Sequence, residues 1–145
     1  MLSPPARSMG GPVSSDTRMD RDSQAAAQKL ATLARPGDTL FVWGFRPDIF
    51  VYSRLPAASR FLESQPISGV FADRRLFSSQ AVAPAFVAPQ RDELLRSRPA
   101  FLIDGLGPYN PNLALASQAY LRAWLADYRE VARTGFSIIY RNRGQ

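Results

Sequence analysis

Two short apolar runs, Thr39-Leu40-Phe41-Val42-Trp43 and Ala100-Phe101-Leu102-Ile103, each break abruptly into a glycine-bearing turn. The turns are Gly44-Phe45-Arg46-Pro47-Asp48 and Asp104-Gly105-Leu106-Gly107-Pro108. A continuous run of β-formers bounded by turn residues reads as a strand buried on both faces, as in parallel sheets covered by helices. Two such strands, each followed by a turn and a helical pattern, predict an α/β fold.

The remaining segments are read around that frame. Residues 1–21 are rich in Ser, Pro and Gly and follow neither apolar period, so they are expected to be a disordered lead-in or linker; residues 22–145 form a single α/β domain. Ala26, Leu30 and Leu33 fit an amphipathic helix from about Asp22 to Ala34, with Asp22 or Ser23 as N-cap and Arg35-Pro36-Gly37-Asp38 as its stop. Ile49 to Ser53 fits a turn of helix or a short strand, the helical turn being preferred. Leu55 to Pro89 is punctuated by prolines and reads mostly as loop, with a short strand near Arg60 to Leu62. Gln90 to Arg96 is a short helix stopped by Pro99. Leu113, Tyr120, Leu121, Trp124, Leu125 and Tyr128 share a helical face, which predicts a helix over roughly Leu113 to Asp127. Glu130–Arg133 and Phe136–Tyr140, separated by Thr134-Gly135, read as a terminal β-hairpin. The expected architecture is a small α/β sandwich: a mainly parallel sheet flanked by helices, closed by a C-terminal β-hairpin.

Composition narrows the chemistry more than the fold. The chain has no His and no Cys, which removes imidazole bases, thiolate nucleophiles, disulfides and His/Cys metal cages. Lys29 is the only lysine, so 17 of the 18 basic residues are arginine, and the net charge is +6. The three arginines and three aspartates between Met1 and Asp22 cancel, so the excess belongs to the rest of the chain. Those arginines are scattered rather than gathered on one element, and nucleic acid is not an expected partner. No 20-residue apolar stretch is present and Met1 to Gly11 holds no export signal, so the isolated chain is expected to be soluble.

If the two strands are neighbours, their C-terminal turns share one rim, where open parallel sheets bind ligands. That rim would gather Trp43, Arg46, Asp104, Tyr109 and Asn110: an aromatic ring, a cation, a carboxylate and an amide, a set suited to a sugar or phosphosugar. Arg46 is either a ligand contact or half of an internal salt bridge. Trp43 and Asp104 also have structural readings, as a core residue and as the pin of a turn. Asp73 and Arg74, in Ala72-Asp73-Arg74-Arg75, form a loop able to grip an anion or to make a surface ion pair. Gly105-Leu106-Gly107 opens like a dinucleotide fingerprint, but Asn110 stands where the third glycine belongs, and Pro108 and Pro111 spoil the helix start; no cofactor is expected. No carboxylate pair argues for a catalytic acid and base, and no acidic cluster for a metal. On these residues alone, a free-standing module binding an anionic metabolite or phosphosugar is one reading.

A second reading comes from a resemblance. Arg35-Pro36-Gly37-Asp38 and Phe41-Val42-Trp43-Gly44-Phe45-Arg46-Pro47-Asp48-Ile49-Phe50-Val51-Tyr52-Ser53 resemble the C-terminal soluble part of bacterial membrane glycosyltransferases of the family 39 type, related to protein mannosyltransferases and aminoarabinose transferases. The likeness continues through Pro56-Ala57-Ala58-Ser59-Arg60-Phe61, Ala72-Asp73-Arg74, Arg98 to Pro111, Trp124-Leu125 and Ile139-Tyr140-Arg141, covering roughly Gly37 to Arg141. It departs at Arg75, where family members often carry a histidine. The resemblance implies an accessory domain on the extracytoplasmic face of the cytoplasmic membrane, inactive alone. Its partner would be a membrane-embedded portion that moves a sugar from a polyprenyl-phosphate carrier. Anionic lipid or the carrier phosphate would attract its basic surface.

Overall fold

The computed structural model describes residues 15–73, 78–81 and 84–145. Helix α1 (Ser15–Leu33) leads into strand β1 (Leu40–Trp43), followed by the short helices α2 (Asp48–Ser53) and α3 (Gln65–Ser68), helix α4 (Pro84–Arg96) and strand β2 (Phe101–Asp104). Three 3-10 turns, Pro111–Leu113, Leu115–Ser117 and Ala119–Leu121, then run into the single turn of helix α5 (Arg122–Leu125). Strands β3 (Tyr128–Arg133) and β4 (Ile138–Asn142) close the chain.

The sheet order is β1-β2-β4-β3. β1 and β2 are parallel neighbours, with Leu40 opposite Phe101 and Trp43 opposite Asp104. β4 enters beside β2 antiparallel, and β3 pairs antiparallel with β4. The sheet is therefore mixed rather than mainly parallel. Two of its four strands form the expected C-terminal hairpin, and β4 reaches the middle of the sheet directly from the turn without a crossover helix.

All residues of β1 and β2 are buried, as runs without polar alternation require. Side chains alternate between the two faces. Leu40, Val42, Phe101 and Ile103 pack with Ala26 and Leu30 of α1 and Ile49 of α2. Phe41, Trp43 and Leu102 pack on the other side with Ile67, Leu94, Leu113, Leu115, Leu121 and Trp124. Helical segments thus cover both faces. Tyr128, whose hydroxyl donates to the Pro99 carbonyl at 2.7 Å, closes the second layer, and burial pushes its phenol up to about 12.

Several boundaries move for local reasons. α1 begins at Ser15, so the line drawn at Asp22 falls inside the helix; residues 1–14 lie outside the described residues. An i,i+4 bond from Gln24 to Asp20 at 2.9 Å supports this first half. α4 starts six residues before Gln90 and contains Pro89. The ring removes one bond near the N-terminus, while Val87 and Leu94, two turns apart, are both buried and hold the helix on the core. The strand expected near Arg60 to Leu62 is replaced by one bridge, Leu40 to Ala57. Pro56 offers its carbonyl to the Leu40 N–H at 2.9 Å but has no N–H to extend a ladder.

The helix expected over Leu113 to Asp127 is broken into 3-10 turns and α5. Leu113 and Leu115 are both buried, and an α-helix would point them about 200° apart. Only a broken path buries both.

Candidate functional site

Gly44 and Gly105 meet at the C-terminal rim of the parallel pair, as two neighbouring strands require. The Gly105 N–H donates to the Trp43 carbonyl at 2.7 Å, and a Cβ on Gly44 would stand 3.5 Å from the Gly105 carbonyl carbon. Gly44 has φ of +138°, a backbone conformation side chains rarely adopt, which explains this sharp exit from β1.

The rim is filled rather than open. Arg46 folds back over it, its Cδ 3.2 Å from where a Cβ on Gly105 would lie, and is only 3% exposed. Its guanidinium donates to Asp22 Oδ2 at 2.8 Å, to Ser23 Oγ from Nη2 at 2.9 Å and from Nε at 3.2 Å, to Ser137 Oγ at 2.7 Å and to the Phe136 carbonyl at 3.2 Å. Ser137 Oγ in turn donates to Asp22 Oδ2 at 2.6 Å, and the Phe136 N–H donates to Oδ1 at 3.0 Å. One buried ion pair with its hydrogen-bonded shell therefore ties α1, the β1–α2 turn and the β3–β4 turn together. Of the two readings of Arg46, the internal salt bridge is the one formed.

Asp104 pins its own turn. Oδ1 accepts the Leu106 N–H at 3.0 Å and the Gly107 N–H at 2.8 Å, while Oδ2 accepts the Leu115 N–H at 2.8 Å. A Cβ on Gly107 would lie 2.5 Å from Oδ2, so glycine is required there for space. Trp43 is fully buried, and its indole N–H donates to the Leu113 carbonyl at 2.7 Å. The remaining candidates separate. Tyr109 is half-buried against the core, and the backbone N–H groups of Tyr109 and Asn110 both donate to the Leu106 carbonyl, at 3.1 and 2.9 Å. Asp73 is exposed beyond α3, and Arg74 lies outside the described residues.

The two buried carboxylates are shifted in opposite directions. Burial pushes Asp104 up, and its three backbone hydrogen bonds only partly offset that. At Asp22 burial also pushes upward, but the Ser137 hydroxyl, the Phe136 N–H and Arg46 outweigh it and hold the carboxyl below its usual value. A depressed acid stabilises the fold above its unfolded pKa and loses that contribution as pH falls through the folded one. Stability is thus expected to fall below about pH 4, the unfolded carboxylate range. In melts between acid and neutral pH, Asp22→Asn should flatten that decline; an unchanged slope would remove Asp22 from its cause. Asp104, being raised, has the opposite sign: its contribution is complete below the unfolded pKa and is lost as pH rises through the folded one.

Asp104→Asn discriminates the two oxygens. The amide keeps an oxygen for Leu106 and Gly107 but turns an NH2 towards the buried Leu115 N–H. The expected loss is about 1–3 kcal/mol by chemical denaturation. No loss would mean that the Leu115 contact contributes nothing.

Reading the sequence missed Asp22, Ser23 and Ser137 as partners of Arg46. A signal was present: Ser23 lies on the same stripe as Ala26, Ala27 and Leu30, and a polar residue on a buried helical face needs a partner. Among the described residues no group of three or more Asp or Glu forms a candidate metal cluster, and no helix is long and apolar enough to cross a membrane. No protein-family model matches the chain, and no match is found among the curated proteins or the solved structures.

Proposed function

We propose that the chain is an accessory α/β domain of a membrane glycosyltransferase that takes its sugar from a polyprenyl-phosphate carrier. In this reading it rests on the extracytoplasmic side of a membrane-embedded portion and supplies no catalytic group. The observation that carries the reading is where the resembling residues lie. Trp43, Arg46, Asp104 and Arg141 are buried and engaged inside the fold. Buried structural positions of that kind are the ones a shared domain, rather than a shared reaction centre, would keep alike. The net charge of +6 suits contact with anionic headgroups or the carrier phosphate, an attraction of about 1 kcal/mol per basic residue at the surface. The rival, an anionic metabolite on the Trp43/Asp104 rim, has nothing comparable in its favour, since the Arg46 guanidinium is occupied by Asp22, Ser23 and Ser137.

Co-sedimentation of the full chain with phosphatidylcholine vesicles tests this, with and without added polyprenyl phosphate. More chain should sediment with the polyprenyl phosphate vesicles, and the excess should disappear as salt rises. Equal sedimentation with both at low salt rejects the reading.

A further inference from the structure

A furrow runs between α1 and α2, away from the filled rim. It is lined by Gln24, Ala27, Gln28 and Ala31 of α1 and Tyr52 of α2, and its volume is about 370 Å³. That lies at the lower end of the roughly 300–1,000 Å³ of small-molecule sites, enough for one or two sugar rings. The small side chains of Ala27 and Ala31 leave the room, while Gln24, Gln28 and Tyr52 are exposed.

The polar groups at one end of the furrow are held in place. The Tyr52 hydroxyl donates to Asp20 Oδ1 at 2.5 Å, and Gln24 Nε2 donates to Asp20 Oδ2 at 2.9 Å. One carboxylate thus fixes a phenol and an amide, lowering the ordering cost that a ligand would otherwise meet. The bond to Asp20 also pushes the phenol up, so it stays protonated. One turn further along α1, Gln28 adds an amide donor and acceptor.

Charge selects among ligands. None of the five lining residues is basic, and the charge that borders the furrow through Tyr52 and Gln24 is the negative one of Asp20. An anion is disfavoured there in spite of the chain's net charge of +6. Two amides beside an aromatic ring suit a neutral ring with hydroxyls around its edge and C–H groups on its face.

We infer that the furrow between α1 and α2 binds an uncharged sugar ring, held by Tyr52, Gln24 and Gln28. The inference goes beyond the accessory-domain reading and stands on the furrow's own lining. Lipid-free sugar tests it, so it can fail while vesicle binding succeeds, and the reverse.

The test is a titration of the full chain, followed by amide chemical shifts, with methyl α-mannopyranoside, methyl β-glucopyranoside and inorganic phosphate. At least one glycoside should give saturable shifts centred on Gln24, Ala27, Gln28, Ala31 and Tyr52. An open furrow covering one side of a ring implies a Kd on the order of 1–10 mM. Tyr52→Ala and Gln28→Ala, both at exposed positions, should each weaken binding roughly three- to tenfold, the worth of one polar contact. Absence of saturable shifts with both glycosides, shifts that both variants leave intact, or equal shifts with phosphate would each overturn the inference.

Discussion

Arg46→Ala is expected to lower the stability of the chain by about 3–5 kcal/mol, the cost of leaving one partner of a buried ion pair uncompensated. As a ligand contact, Arg46 would be expected to leave the fold intact when replaced and to affect only the ligand; its burial against Asp22 reverses that. The stranded carboxylate would keep Ser137 and the Phe136 N–H but lose the guanidinium it is paired with. Domains of this size have about 5–15 kcal/mol in total, so the variant should melt on the order of 10 °C lower. Arg46→Lys retains the charge but cannot reach Asp22, Ser23 and Ser137 together, and should fall between the two. In a double-mutant cycle, Arg46→Ala with Asp22→Asn should cost clearly less than the sum of the single changes. A loss below about 1 kcal/mol for Arg46→Ala would show that the network is ornamental to stability.

Trp43→Ala should cost about as much, roughly 3–5 kcal/mol, for a different reason. The indole is fully buried in the layer that also holds Phe41, Leu102, Leu115 and Trp124, so removing it opens a cavity in close-packed surroundings. Its N–H also satisfies the Leu113 carbonyl, which would be left unpaired next to the first 3-10 turn. Trp43→Phe separates the two contributions: most of the bulk remains and the hydrogen bond goes, for a loss of about 1–3 kcal/mol. Denaturant unfolding followed through the one remaining tryptophan, Trp124, would measure it. Equal losses for Phe and Ala would place the whole effect in the hydrogen bond, and no loss for either would contradict the packing described.

The parts of the fold that could be read from the chain are those where neighbouring residues carry the information. β1 and β2 announce themselves because a strand covered on both faces must be apolar throughout, and the Thr134-Gly135 turn between two β-forming runs marks the hairpin. The helical turn after Pro47 is as local. The stretch from Leu113 to Asp127 was misread because its apolar residues satisfy a helical period by coincidence; the deciding fact is that Leu115 hangs on Asp104, eleven residues earlier. β4 beside β2 was equally hidden, since a pairing of Leu102 with Tyr140 leaves no trace in either segment.

The candidate site divides along the same line. That Trp43, Arg46 and Asp104 stand near one rim follows from two strands of like pattern, each ending at a glycine turn, once the strands are parallel neighbours. Whether they face a ligand or one another does not, because burial of a charge depends on what the distant chain brings to it. The amino-acid order by itself determined which chemistries were absent and where the two core strands lie; that their exits share an edge followed only once β1 and β2 paired as parallel neighbours. Tertiary structure alone decided that Asp22, Ser23 and Ser137 arrive from the chain's two ends to enclose Arg46. Such contacts span from 23 to 91 residues of sequence, and an ion pair is specified only when folding brings its halves together.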